Sequence, residues 1–459
     1  MRVLLTGATG LIGREVGKKL SEAGHQLTVV TRHVGQARTS LPFPARIIEW
    51  RSVHDEFPVR ALEGVDAVIH LAGEPIGEGR WNEARRKNIR DSRVLGTQAL
   101  VSAIAKVAQA PRVFIHGSAI GFYGDRGDEV LTELAACGTG FLSDVVRDWE
   151  SAAEPVIKQG LRLVHLRTGV VFSRRGGVLA KLAPLFAKGL GGKLGLGQQW
   201  MSWIHIEDLV AAFLFCLNHE EASGIYNGTA PGPTRNDRFT IAFARALLRP
   251  VFLPVPEAAL KATLGEAASL ALASQRVLPR RLEEAGFHFR YPELQGALDE
   301  LCKDLQDGQH EFVAEQWVPK KPEEIFPFFS NEMNLTEITP PFLSFQVLGK
   351  STDVIQKGTL IDYRLSLYGV PMKWRTEIET WQPDRGFVDH QLKGPYRKWH
   401  HTHEFQPLSG GTLIKDRVLY KLPLGLFGET VAGWKVNRQV RDIFAYRRMK
   451  IDQRFGVDS

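Results

Sequence analysis

Cysteine is scarce in this chain: three residues, Cys137, Cys216 and Cys302, stand far apart among 459. That excludes a disulfide framework, and with no spacing of metal-ligand type it excludes a zinc module. No uninterrupted apolar stretch is long enough to cross a bilayer, so no integral membrane segment is expected. The chain opens directly in a short apolar run without a basic leader, so no signal peptide is expected and a reducing, cytoplasmic setting fits. Charge of one sign is not concentrated either. Lys and Arg outnumber Asp and Glu by 58 to 51, a net charge of +7, yet they form no long basic block. The surplus reads as solvated surface plus anion-binding positions, and nucleic acid is not an expected partner. Repeats and low-complexity segments are also lacking. A hydrophobic content of 44% at this length implies a globular protein of two or three domains.

What is present is most telling at the start. Val3-Leu4-Leu5-Thr6 runs into Gly7-Ala8-Thr9-Gly10 and then into a helical pattern from Leu11 to Glu22. Strand, glycine turn and helix in that order are the signature of a dinucleotide phosphate site. Gly7 permits the tight turn, Gly10 removes a side chain where backbone approaches a pyrophosphate, and Gly13 lets the helix pack on the sheet. The helix start offers N–H groups and a positive dipole end to the phosphates. NAD sites usually carry an acidic residue at the end of the second strand, for the ribose 2′-hydroxyl. Here the strand ends Val29-Val30-Thr31-Arg32. An arginine fork suits a 2′-phosphate, so the expected cofactor is NADP(H) with Arg32 as its clamp.

Strand and helix patterns then alternate: strands over Gln26 to Thr31, Arg46 to Glu49, Asp66 to Gly73, Arg112 to His116 and Leu161 to Leu166, with helices over Arg90 to Ala108 and Phe141 to Gln159. Such alternation predicts an α/β fold, a Rossmann-type doubly wound parallel sheet whose ligand sits at the strands' carboxyl ends. There Gly7, Ala72-Gly73 and Gly117-Ser118 converge. The pattern fades after Asn227, and small helices over Leu278 to Leu305 close the first unit, with Asp307-Gly308-Gln309 as junction. Beyond it, strand-like runs over His310 to Pro319, Gly358 to Tyr368, Met372 to Trp381, Phe387 to Leu392 and Thr412 to Leu419 precede a long helix, Glu429 to Phe455. That order predicts an α+β second domain. The expected boundaries are 1–235 for the dinucleotide domain, 236–305 for its helical extension and 309–459 for the last domain.

The Thr6–Gly13 turn, Leu71-Ala72-Gly73-Glu74-Pro75-Ile76, Arg80-Trp81, Ser118 to Gly124, Leu166-Arg167-Thr168-Gly169, Trp203 to Asp208 and Leu278 to Phe287 together resemble the extended short-chain dehydrogenases. More narrowly, they resemble the atypical epimerase family proteins, which are nucleoside-diphosphate-sugar epimerase-like and carry a small C-terminal helical extension. The resemblance spans Met1 to Leu305. It implies that Gly7, Thr9, Gly10, Leu11 and Ile12 line the pyrophosphate, that Arg32 faces the adenosine phosphate, that Leu71, Ala72 and Gly73 pass beneath the nicotinamide ribose, and that Ser118 sits near the nicotinamide. Asp208 is expected to anchor a backbone turn.

One departure from that family bears on chemistry. Its working members carry a Tyr-x-x-x-Lys helix in which lysine lowers the tyrosine pKa for proton exchange. The corresponding segment here, Phe141 to Glu150, has neither residue; aligned on Glu150, it places Leu142 and Val146 at the catalytic positions. Tyr123 and Ser118, on the loop after a strand end, are the available hydroxyls and the candidate catalytic residues, with Lys87 or Arg90 as nearby charge. Tyr123 admits a second reading, as packing support.

From His310 onward the chain resembles the helix-grip (SRPBCC) superfamily of START, Bet v 1 and polyketide-cyclase-like domains. Pro322 to Phe329, Gly394 to Phe405 and the terminal helix carry the likeness. It implies an antiparallel sheet curled round a long helix, enclosing an apolar cavity. Strand alternation puts Trp399, His401, His403 and Phe405 on one face, as a cavity wall with polar handles would require. Trp399, His401 and His403 are therefore candidate cavity residues. No third ligand is evident beside the two histidines, so no metal is assigned. Lys435, Arg438, Arg441, Arg447, Arg448 and Lys450 read as the solvated face of the last helix.

The expectation is an NADP(H)-binding epimerase- or oxidoreductase-like protein acting on a small molecule, fused to a domain for an apolar ligand. Two alternatives stay open: a non-catalytic dinucleotide-binding sensor or scaffold, and a lipid-binding protein whose first domain is structural.

Overall fold

The structure, a computed structural model, describes residues 1–251, 254–367, 370–423 and 425–456, with no side chain described at 307, 367 or 425–432. Contacts divide it into two compact units, 1–34 with 45–303, and 35–44 with 304–459.

The first unit is built on a seven-stranded sheet of β1 (Arg2–Thr6), β2 (Gln26–Thr31), β3 (Arg46–Glu49), β4 (Ala67–His70), β5 (Val113–Ala119), β6 (Arg162–Thr168) and β7 (Gly224–Gly228). Its spatial order is β7-β6-β5-β4-β1-β2-β3, and every pairing is parallel. The order reverses at β1, so the crevice opens beside the turn after β1. The central strands are buried on both faces, as their apolar sequences require. Around them lie α1 (Leu11–Glu22), α2 (Glu83–Ile104), α3 (Phe141–Ala153) and α4 (Ile206–Asn218).

Four of the boundaries that differ from the sequence pattern do so for a local reason. Helix α2 starts seven residues before Arg90 because the Asn82 side chain accepts the Arg85 N–H at 2.8 Å and caps it. The helix expected to reach Gln159 breaks at Pro155, which has no N–H to give and opens a separate short turn. Strand β4 stops at His70, and Leu71–Gly73 leave it in an irregular turn. Strand β5 runs past His116 through Ala119, since Ser118 and Ala119 pair with Arg167 and Thr168 of β6. Ser118 therefore stands on a strand and not on the loop after it.

The second unit holds a seven-stranded antiparallel sheet: β8 (His310–Val318), β9 (Gln346–Lys350), β10 (Leu360–Leu367), β11 (Val370–Gln382), β12 (Gly386–Lys393), β13 (Lys398–Leu408) and β14 (Gly411–Lys421). The order is β8-β14-β13-β12-β11-β10-β9. Helix α5 (Pro322–Phe329) follows β8, and α6 (Gly425–Phe455) closes the chain. Edge strand β9 escaped the sequence reading: five residues, with a bulge between Val347 and Gly349, give alternation little length to show. Tyr368, the expected end of β10, lies outside the described residues. Of the junction triplet, Asp307 and Gly308 end a short 3-10 turn, Gln306–Gly308, and Gln309 caps it just ahead of β8. Phe326, Phe329, Phe405, Ile414 and Ile451 pack α5, the sheet and α6 into one core.

Candidate functional site

In the first unit the glycine turn is forced by close contacts. Gly7 has φ +71°, and a Cβ there would stand 2.6 Å from the Leu71 carbonyl carbon. A Cβ on Gly13 would meet the Gly7 carbonyl oxygen at 2.2 Å. Gly10 is different: its Cβ direction meets only the Gly7 oxygen, at 3.3 Å, so its outer side is open to a ligand. Gly10 also caps α1 without any side-chain hydrogen bond, so Leu11, Ile12 and Gly13 present their N–H groups to whatever lies in front. Thr6 ties this turn to the next one. Its Oγ1 accepts the N–H groups of Leu71 and Ala72, each at 3.2 Å, and lies 2.7 Å from His70 Nδ1. Gly7, Thr9, Gly10 and Leu71–Gly73 are thus brought together at the carboxyl end of the sheet. Arg32 follows β2 at the same end with a side chain 65% exposed, Nη2 lying 3.8 Å from Glu74 Oε2. Glu74 itself is held by Arg85 at 2.8 Å.

Behind the Gly73 turn lies Arg93, which the sequence reading did not single out. Its guanidinium donates to the carbonyls of Glu74 and Ile89 and lies over the Trp149 ring. Burial pulls its pKa down to about 10, with Glu74 opposing. An arginine one turn beyond Ile89 on an apolar helix face was the available signal.

The two candidate hydroxyls lie deeper. Ser118, Arg167 and Asn227 stand side by side across β5, β6 and β7, and α3 lays Glu150 over them. Ser118 Oγ donates to Glu150 Oε1 at 2.5 Å; Arg167 grips both oxygens of Glu150, at 2.8 and 2.7 Å. Arg167 also donates to the Tyr123 hydroxyl at 3.1 Å, and Tyr123 donates to Asn227 Oδ1 at 2.7 Å. Tyr123 is fully buried and Ser118 nearly so. Burial raises the Tyr123 phenol above its ordinary value although Arg167 pulls the other way. At the family's catalytic positions, Val146 is buried and the neighbouring Leu142 packs against the group of Trp81, Ile89 and Val145. Lys87 is paired with Asp91, and Arg90 with Asp148. Asp208 accepts the backbone N–H groups of Arg290 and Tyr291, an anchored turn.

In the second unit the sheet and α6 enclose a cavity of about 170 Å³, lined mostly by apolar side chains such as Phe329, Leu343, Ile361 and Trp381. Trp399, His401 and His403 all face it. Two carboxylates and an arginine join them. Asp389 on β12 pairs in register with His401, and Asp416 on β14 with His403. His401 Nε2 donates to Asp416 Oδ1 at 3.0 Å, and His403 Nε2 to Asp389 Oδ2 at 3.1 Å. Burial pushes His401 down to about 4; for His403 the two carboxylates outweigh burial and raise it. Arg447 does not belong to a solvated face: it is buried, with Nη1 3.3 Å from Asp416. The sequence signal for these three was an ionisable residue at an inward position of an apolar strand or helix face.

Comparison with known proteins fits this geometry. The NAD dependent epimerase/dehydratase family model matches residues 3–227, a domain of unknown function (DUF1731) matches 255–301, and the polyketide cyclase/dehydrase and lipid transport family matches 318–444. An epimerase family protein of Mycobacterium leprae is 39% identical over 297 residues, covering 64% of this chain and 94% of the relative. A chloroplastic epimerase family protein of Arabidopsis thaliana is 38% identical over 307 residues, covering 65% and 86%. A crystal structure of human epimerase family protein SDR39U1 with NADPH superposes with a TM-score of 0.60 at 35% identity, covering 66% of this chain and all of that one. A nucleoside-diphosphate sugar epimerase from Corynebacterium glutamicum gives 0.54 at 35%, covering 66% and 58%. The fold and the glycine turn define a Rossmann-type protein of the short-chain dehydrogenase class, with a helix-grip unit after it. Within that class, the chain belongs to the epimerase family proteins.

Proposed function

We propose that the first unit binds NADP(H) along the Gly7–Gly13 turn, with Arg32 receiving the 2′-phosphate and Leu71–Gly73 passing beneath the nicotinamide ribose. The observation that carries this is the open outer side of Gly10 in front of an uncapped helix start, with an exposed arginine where an NAD site would carry an acid. The residues fit the cofactor: a pyrophosphate needs N–H donors without side chains in the way, and a 2′-phosphate needs a fork. The human relative solved with NADPH supports the same choice. The cofactor would supply hydride chemistry to a small-molecule substrate, and the second unit would hold an apolar ligand in its cavity. The three cysteines, all free thiols, favour a reducing compartment such as the cytoplasm.

A second reading, a dinucleotide-binding protein that moves no hydride, draws on one observation. The hydroxyls of Ser118 and Tyr123 are engaged inward, on Glu150 and Asn227, and apolar side chains stand at the family's catalytic positions. In either reading Ser118 and Tyr123 position the network unless Tyr123 can release Asn227.

Fluorescence titration of the full chain with NADPH and NADH tests the proposal. Saturable binding that favours NADPH is expected, with Arg32→Ala removing the preference by about tenfold or more. Equal affinity for both dinucleotides, unchanged in Arg32→Ala, would overturn it. NADPH oxidation with a panel of carbonyl compounds then separates the two readings. Turnover lost in Tyr123→Phe with binding intact would make Tyr123 the proton donor; turnover unchanged would leave it a packing residue.

A further inference from the structure

We propose that the cavity of the second unit carries a divalent transition-metal site, with Asp389, His401 and His403 as ligands and Asp416 as the acceptor that orients the His401 imidazole. The ligand atoms come from two adjacent strands. Asp389 on β12 is the register partner of His401 on β13, and His403 lies two residues further along the same face. The imidazole centroids stand 3.7 Å apart. Each ring turns one nitrogen to the same carboxylate oxygen: His403 Nε2 lies 3.1 Å and His401 Nδ1 3.7 Å from Asp389 Oδ2. All three ligand atoms fall within 4.8 Å of one another. In a tetrahedral site with bonds of about 2.1 Å, ligand atoms sit about 3.4 Å apart, the mean of the two distances just given.

The far nitrogen of His401 adds a second argument. His401 Nε2 points at Asp416 Oδ1 at 3.0 Å, whereas His403 Nδ1 lies 2.8 Å from the same oxygen without hydrogen-bond alignment. A carboxylate on the far nitrogen is what fixes the tautomer and aim of a metal-bound histidine. Here Asp416 does so for His401, and Arg447 holds that carboxylate in turn at 3.3 Å. Asp389, His401 and His403 all border the cavity, so the remaining coordination positions open onto it. That is the layout of a metal that meets a ligand, in contrast to the closed sites that only hold a fold together. The matching ligand is an apolar molecule ending in a carboxylate or carbonyl oxygen: the oxygen on the metal, the rest against Phe329, Leu343, Ile361 and Trp381.

A rival site lies on the other face of the sheet, where His390 and His400 surround Glu379 at 3.6 and 3.1 Å. The test distinguishes them. Full-length protein, stripped with chelator, is titrated with Co²⁺ and followed by its visible absorption. One saturable equivalent is expected, weakened at least about tenfold in Asp389→Asn and in His401→Gln and about 10–100-fold in Asp416→Asn, but unchanged in His400→Ala. Pulsed electron paramagnetic resonance of wild-type protein loaded with substoichiometric Cu²⁺ should detect two coupled imidazoles, a readout that needs no variant to fold. The proposal falls if no single equivalent binds, if Asp389→Asn and His401→Gln bind as wild type does, if His400→Ala abolishes binding, or if Cu²⁺ couples to fewer than two imidazoles.

Discussion

Arg167 concentrates more of the first unit's polar structure than any neighbour it touches. It is 1% exposed, grips Glu150 with two nitrogens, donates to Tyr123, and lies 3.4 Å above the Phe122 ring. Removing one partner of such a buried pair leaves the other charge uncompensated, at a cost of about 3–5 kcal/mol. Arg167→Met is therefore expected to lower the unfolding free energy of the first unit by that order, read as a lower urea midpoint. Arg167→Lys restores little, because an ammonium cannot reproduce the fork. Glu150→Gln, which keeps an oxygen for the fork, should fall between them. Equal midpoints for wild type and Arg167→Met would show that the pair contributes nothing. Gly13 makes a separate case. A methyl group there would sit 2.2 Å from the Gly7 oxygen, so Gly13→Ala must push α1 off its turn. NADPH affinity in the same titration is expected to drop at least about tenfold, since the N–H groups lose their aim. Undiminished binding would place the dinucleotide elsewhere.

Strands β4, β5 and β6 carry a row of histidines that no single element reveals. His70 pairs in register with His116, and His116 with His165. His116 and His165 share a contact of 2.9 Å between their Nδ1 atoms, and the Trp149 ring stands edge-on to His116. Burial holds His70 and His165 down to about 4 and His116 well below its ordinary value. All three are neutral in the folded protein at neutral pH, whereas in the unfolded chain they take up protons near pH 6.5. Between those values the unfolded state binds more protons. Stability of the first unit is therefore expected to fall as pH drops from about 6.5 towards 4, and to be flat above 7 as far as these groups go. Urea midpoints across that range check the sign, and His165→Gln should flatten the slope. A midpoint that rises on acidification would contradict it.

Elements also mark what could be read in advance. Long, evenly patterned ones such as α1, β2 and the terminal helix show in the sequence because one period runs through them. The extension of β5 does not show, because Ser118 and Ala119 are strand residues only by virtue of pairing with Arg167 and Thr168. The candidate sites divide the same way. The glycine turn is local, so spacing exposes it. The Ser118–Glu150–Arg167–Tyr123–Asn227 network joins three strands, a turn and a helix, and depends on register that no local window holds. In the second unit, alternation placed Trp399, His401 and His403 on one face, but Asp389 and Asp416 reach them from the neighbouring strands and Arg447 from a helix. The third ligand beside two histidines was missing from the sequence reading for that reason alone.

At the scale of the whole molecule, the chain folds into two compact units with separate cores and separate proposed ligands. The relatives of M. leprae and A. thaliana cover 64–65% of the chain, so the first unit recurs in proteins matched over that part alone. A ligand that binds only the folded form of one unit stabilises that unit by RT ln(1 + [L]/Kd), about 2.7 kcal/mol at a hundredfold excess over Kd. Calorimetry of the full chain should then resolve two transitions that respond separately. NADPH is expected to raise the transition lost first in Arg167→Met and leave the other in place. Co²⁺ is expected to do the reverse, and to lose its effect in Asp389→Asn. A single transition raised by both NADPH and Co²⁺ would instead show that the two units unfold as one.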